Sequence, residues 1–283
     1  SDITDEERMD YVSSQGYAWG YIGSCVPFVL CLVIVLGSDP LGIRMETAMG
    51  IAFVLVAVWW LLMSLPLLKN YEQKYYVEKK PHAIAQSFKR LGETFKNMKE
   101  EKQVFMFLLA FFFYIDGVYT IIDMATAYGS ALGLDSTGLL LALLVTQIVA
   151  FPCAIIFGNL SYRIRTEKLI IVCIFAYLGI AIFAVFLKTQ LQFWILAILV
   201  GMFQGGIQAL SRSYFTKIIP EEHSGEYFGL MDICGKGASF VGTTIVSIVS
   251  QLTGNISMGV GMIAILFCIG IVIFLKAVSM SRN

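Results

Sequence analysis

Eight apolar stretches of about twenty residues divide this chain, and the basic residues between them fall almost wholly on one side. The stretches run 17–36, 48–68, 103–124, 137–158, 169–187, 191–211, 227–250 and 256–277. A helix rising ~1.5 Å per residue crosses a hydrocarbon layer ~30 Å thick in about twenty residues, so each stretch predicts one membrane span. If the spans alternate in direction, 1–16, 69–102, 159–168, 212–226 and 278–283 share one side, with Lys276 at the inner end of the last span. That side holds seventeen Lys and Arg, whereas the other holds only Arg44 and Lys188. Bases concentrate in cytoplasmic loops, so both termini and the long 69–102 segment are expected in the cytoplasm. The fold class is an all-α polytopic membrane protein.

Composition narrows the partners. Hydrophobic residues make up 58% of the chain and charged ones only 14%, against about a quarter charged in soluble domains. With zero net charge nothing points to nucleic acid, and the expected surroundings are a lipid bilayer. Cys25, Cys31, Cys153, Cys173, Cys234 and Cys268 all lie inside spans, where they pack as small apolar groups. The two histidines, His82 and His223, are far apart in cytoplasmic segments. Neither a His-Glu-x-x-His nor a phosphate-cradling Gly-x-x-x-x-Gly-Lys motif occurs, so no metal, cofactor or enzymatic activity is expected. Residues 1–16 are acidic and polar rather than a signal peptide. Opening at Ser1, the chain reads as a piece of something longer.

Two spans precede the 69–102 segment and six follow it. Within that segment Ile84, Phe88, Leu91, Phe95 and Met98 recur at helical steps, with Lys89, Arg90, Lys96 and Lys99 off their face. Such an amphipathic helix lies on the inner membrane surface or packs on the cytoplasmic ends of the bundle. Gly16 with Gly20, Gly201 with Gly205, and the run Gly235, Gly237, Ala238 and Gly242 predict close helix contacts. Pro27, Pro66 and Pro152 fall within spans and are expected to kink them.

Polar groups inside spans are costly, so their positions point to function. Asp116 and Asp123 lie seven residues apart on nearly one face of the third span. Asp116 sits about 20 Å from the cytoplasmic end, where it is expected to face a water-accessible cavity. The sixth span offers Gln204, Gln208 and, at its boundary, Arg212; the fourth carries Gln147. Asp232 and Lys236 form an i,i+4 acid–base pair in the seventh span, neutralising each other or lining a cavity. A receptor or scaffold would keep the glycines, and it stands as the rival to a transporter.

Three runs carry a resemblance. Ser14-Gln-Gly-Tyr-Ala-Trp-Gly-Tyr-Ile-Gly23, Tyr114-Ile-Asp-Gly117 and Gln204-Gly-Gly-Ile-Gln-Ala-Leu-Ser-Arg-Ser213 resemble the vacuole-effluxer branch of the major facilitator superfamily. The resemblance implies that the chain matches the last eight of twelve spans. Residues 1–68 would be the last two spans of the amino-terminal half, 69–102 the linker and 103–283 the complete carboxy-terminal six-helix half. That half is expected to be two inverted three-helix repeats whose first helices line a central cavity. Alternating-access transport of a small polar solute, amino acids by class, is the implied function. Asp116, Gln147, Gln204, Gln208 and Lys236 are the expected solute-binding residues, and Asp116, Asp123, Arg163, Arg212 and Asp232 the expected coupling or gating ones. The partners expected are the solute, the lipid bilayer and the missing amino-terminal spans, without which the chain is expected not to transport. The superfamily's loop signature is echoed as Gly158-Asn-Leu-Ser-Tyr162-Arg163-Ile-Arg165, with Tyr162 in place of Asp and Arg165 in place of Gly.

Overall fold

In lipid every backbone polar group must find its partner within the chain, so spanning segments close on themselves as helices. The computed structural model describes residues 4–72, 92, 94 and 101–280. Among them eight helices are long and apolar enough to span a membrane. They are α1 (Met9–Leu36), α2 (Met45–Asn70), α3 (Lys102–Ala131), α4 (Ser136–Leu160), α5 (Thr166–Val185), α6 (Gln190–Ile218), α7 (Ser224–Thr253) and α8 (Ile256–Met280). Short 3-10 turns at Glu6–Arg8 and Glu221–His223 lead into α1 and α7. All eight expected spans are present, lengthened at their ends because polar turns continue a helix beyond the apolar core. The amphipathic helix expected over 84–98 lies, apart from Gly92 and Thr94, outside the described residues.

Local chemistry sets the ends. Asp135 caps α4 by accepting from Gly138 N at 2.6 Å, and Thr189 with Gln192 forms a capping box at the start of α6. α6 stops at Ile218, two residues before Pro220. Gly254, with φ of 66°, takes the left-handed turn that ends α7 and that a side chain would disfavour.

Packing divides the helices into a six-helix body and an appended pair. Within the body α3 packs on α7 and α8, while α6 packs on α4 and α5. Exchanging α3 with α6, α4 with α7 and α5 with α8 maps one set of pairings onto the other. Because α3 and α6 also run in opposite directions, this is the inverted-repeat pattern. α1 lies against α4 and α6, and α2 packs chiefly on α1. Along α2 only Ala48 and Ala52 are buried, which leaves an apolar rod suited to lipid.

With lipid on the outside, close approach takes over from water exclusion as the main source of helix contact. A Cβ on Gly201 would stand 2.6 Å from the Thr146 carbonyl, on Gly205 2.7 Å from Ala154 Cβ, and on Gly206 2.6 Å from the Phe157 ring. These three glycines let α6 sit hard against α4. Gly117 and Gly270 likewise meet Phe267 and Tyr114 at the α3–α8 contact. The close packing expected at Gly16 and Gly20 is not found: a Cβ at either meets nothing within 4 Å among the described residues. Phe107, Tyr214, Phe215 and Phe274 form an aromatic cluster joining α3, α6 and α8, with Phe107 at 5.2 Å from Tyr214 and 5.5 Å from Phe215. Above it the Tyr114 hydroxyl and Ser211 Oγ share a hydrogen bond of 2.7 Å.

The contacts also sort the loops. At one end of the bundle Asp10 meets Thr166 and Lys217, Thr94 meets Glu226, and Glu101 meets Tyr227. Gly138 and Gln190 meet at the other, with Tyr128 and Ser257. That is the alternation of spans assumed from the sequence.

Candidate functional site

Both first helices of the repeats border a cavity of about 90 Å³, which α7 and α1 complete. Ile115 and Tyr119 come from α3, Gln208 and Arg212 from α6, Asp232 and Lys236 from α7, and Tyr17 from α1. At ~1.5 Å per residue, Arg212 lies about 9 Å from the end of α6 and Lys236 about 18 Å from the start of α7. Those two ends share one side of the bundle, so the charged groups climb from the boundary toward mid-membrane.

Arg212 is not a simple boundary anchor. Its Nη1 donates to Asp232 Oδ1 at 3.5 Å, and its guanidinium carbon lies 4.7 Å from the centre of the Phe228 ring. Of the two alternatives for Asp232 and Lys236, mutual neutralisation is not found among the described residues, and both line the cavity: Arg212 reaches across from α6 to the carboxylate instead. Helical spacing brings the 232 and 236 side chains near one another, but the contact made is a single one from the facing helix. Lys236 makes no hydrogen bond or ion pair among the described residues. Its side chain is exposed, and a cation at a span centre costs about 2.5–3.5 kcal/mol on insertion scales unless water or an anion meets it.

The glutamines separate. Gln208 lines the cavity and its Oε1 accepts from the Tyr21 hydroxyl at 3.0 Å, tying α6 to α1. Gln204 and Gln147 instead border a smaller crevice between α3, α4 and α6, lined mainly by Leu143, Phe193 and Leu196. They face each other's helices rather than the charged cavity.

Asp116 departs from expectation. It is fully buried and does not line the cavity. Its Oδ1 accepts from Gly242 N at 2.8 Å and from Thr120 Oγ1 at 3.2 Å, while Oδ2 meets no partner among the described residues. Only glycine at 242 lets α7 come this near, because a Cβ there would collide with Asp116 and Thr120. Asp123, on the same face of α3, is exposed and accepts from Ser239 Oγ at 2.7 Å. Both carboxylates thus bind α3 to α7. Arg163 is exposed in the α4–α5 loop, and its side chain has no partner among the described residues. Tyr162, in place of the signature Asp, lies with its ring 5.9 Å from that of Tyr11.

One constellation escaped the sequence reading. Asp10, at the start of α1, is buried and receives Thr166 Oγ1 at 2.6 Å, Ser213 Oγ, and Lys217 Nζ at 2.7 Å. Lys217 also reaches Thr166 Oγ1 at 3.3 Å. The cluster ties α1 to α5 and α6, one to two turns beyond Tyr17 and Arg212 toward that end of the bundle. Asp10 lay ahead of the apolar window. The available signal was Ser213 and Lys217, four residues apart on one face of α6.

The sequence matches the family described as Vacuole effluxer Atg22 like across residues 1–283. It is 46% identical over 274 residues to an uncharacterized MFS-type transporter, YxiO, of Bacillus subtilis, covering 96% of this chain and 64% of that protein. It is 25% identical over 303 residues to autophagy-related protein 22 of Botryotinia fuckeliana, covering 96% of this chain and 50% of the relative. The chain thus spans roughly half to two thirds of the length of these relatives. Its fold resembles a crystal structure of the E. coli fucose:proton symporter FucP, with a TM-score of 0.69 at 14% identity, covering 98% of this chain and 70% of that one. A FucP structure in the outward conformation gives 0.67 at 16% identity. These matches, with the inverted repeats and eight membrane helices, carry one conclusion: the chain belongs to the vacuole effluxer Atg22-like family of the major facilitator superfamily.

Proposed function

We propose that this chain serves secondary active transport of a small polar solute, amino acids by class, through alternating access. The observation that carries the reading is the charged cavity at the meeting of α1, α3, α6 and α7. A site near mid-membrane, between a two-repeat body and a helix from outside it, is where transporters of this architecture hold their cargo. The relatives' descriptions as an MFS-type transporter and as vacuole effluxer-like support the same reading.

Gln208, Arg212, Asp232 and Lys236 are the proposed solute contacts, with Gln204 and Gln147 bracing α6 against α4. Asp116 is a proposed coupling carboxylate that acts between helices: taking up or losing a proton there changes its bond to Gly242. Both termini lie in the cytoplasm on this reading, as the charge asymmetry favours. The Asp10 cluster then lies at the cytoplasmic end.

Flux in proteoliposomes carrying the purified chain tests the proposal. The assay is run alone and with the part of the Bacillus relative that the match leaves uncovered, against an amino-acid panel. Saturable, solute-specific flux is expected in the combined arm and none from the chain alone, and Asp116→Asn in the combined arm should lose its dependence on a proton gradient. Membrane insertion without solute-dependent flux or stabilisation in any arm would favour a receptor or scaffold.

A further inference from the structure

The charge on the cavity wall does not balance. Arg212 and Lys236 bring two positive charges, and Asp232 supplies one negative. Asp232 is already engaged with Arg212, at a 3.5 Å spacing longer than the ~2.7–2.9 Å of a strong charge-assisted bond. Lys236, about 18 Å into its helix, has no acceptor among the described residues. The acids of the facing helix are committed elsewhere: Asp116 is turned into Gly242, and Asp123 accepts from Ser239. Intramembrane cations pair with anions or mark a ligand pathway, and among the described residues no anion is left for Lys236.

We infer that Lys236 and Arg212 together hold a carboxylate of the transported solute. The inference deepens the transport reading and rests on it. The lysine provides a compact point charge, and the arginine provides the N–H groups its long contact with Asp232 leaves free. The solute carboxylate displaces that loose pair, and Asp232 then faces the solute's other polar end. The solute carboxylate gives the two cations of the wall a shared anion, and the Asp232 carboxylate it frees from Arg212 can take the ammonium of an amino acid. Tyr17, Tyr119 and Gln208 complete a polar lining for a small molecule.

Matched solute sets test the carboxylate requirement. One set is leucine, leucinamide and 4-methylpentanoate; a second is alanine, alaninamide and propionate. Binding is read as stabilisation of the purified protein, and transport as competition with the best panel solute. Within a recognised set, the amide is expected to bind at least tenfold more weakly than the amino acid, while the acid lacking the amine retains binding. Lys236→Gln should erase the difference, and Lys236→Arg should keep it. Amides binding as well as acids, or full discrimination in Lys236→Gln, would overturn the assignment while leaving transport intact. Failure of every solute to bind or move would remove the transport reading and this inference together. Should Lys236→Gln not assemble, the acid-to-amide ratio in the unaltered protein decides alone.

Discussion

At the scale of single residues, two substitutions separate contact from mere presence. Asp116→Asn keeps an oxygen for Gly242 N and places an amide where Oδ2 meets no described partner. It should melt within about 1 kcal/mol of the parent, whereas Asp116→Leu strips a buried bond and should cost about 1–3 kcal/mol. Thermal melting in detergent measures both. For the glycines, Gly205→Leu must push Ala154 out of the α4–α6 contact, at a cost of about 1–3 kcal/mol. Gly16→Leu meets open space and should be close to neutral, so equal losses at the two positions would refute the packing described. The sequence marked Asp116 as important but gave its direction wrongly. Depth is legible from counting residues, whereas the facing backbone that claims a side chain is not. Lys236 and Gln208 were found because few polar groups occur in spans at all. That Asp232 meets Arg212 in place of its i,i+4 neighbour Lys236 required knowing which helix lies opposite.

Between elements, the Asp10 cluster is the joint to test. Asp10→Asn or Lys217→Met breaks a largely buried pair and leaves its partner charge unmatched, for which about 3 kcal/mol is the lower end of the usual cost. The double exchange Asp10→Lys with Lys217→Asp should recover part of the loss, and a double-mutant cycle on melting temperatures quantifies the coupling. Arg163→Ala, in the neighbouring loop, should stay within about 0.5 kcal/mol because its side chain is exposed and unpaired among the described residues. Helix identity was readable from apolar length alone, and the inverted pairing followed once the resemblance supplied its pattern. The joint itself was not readable. Its acid belongs to a polar tail that no hydropathy window includes, and its partners lie 156 to 207 residues away.

For the molecule as a whole, orientation is the first test. Single cysteines introduced at Asp39 and Asn255, in a variant without native cysteines, should label from outside the cell; those at Arg163 and Glu221 should label only from within. Reversed labelling would overturn the charge-based topology while leaving the fold intact. The two seams of the structure also differ in texture. α3 and α8 interlock, with Phe267 and Phe274 rising from α8 to meet Gly117 and Tyr114 on α3. The face of α1 toward α4 and α6 is built mainly of smaller groups: Ala18 lies with Ala150 and Ala154, Ser14 sits against Gly158, and Ser13 and Tyr21 add single hydrogen bonds to Ala209 O and Gln208. Knobs seated in sockets resist shear because every step must lift them out. Alanine surfaces slide, and bonds worth about 0.6 kcal/mol each in a membrane can be exchanged one at a time for bonds to water. Beyond the Asp10–Lys217 joint, the α1 seam is therefore the easier of the two to shear, and on the transport reading proposed above a rocking motion would slip there once that ion pair opens.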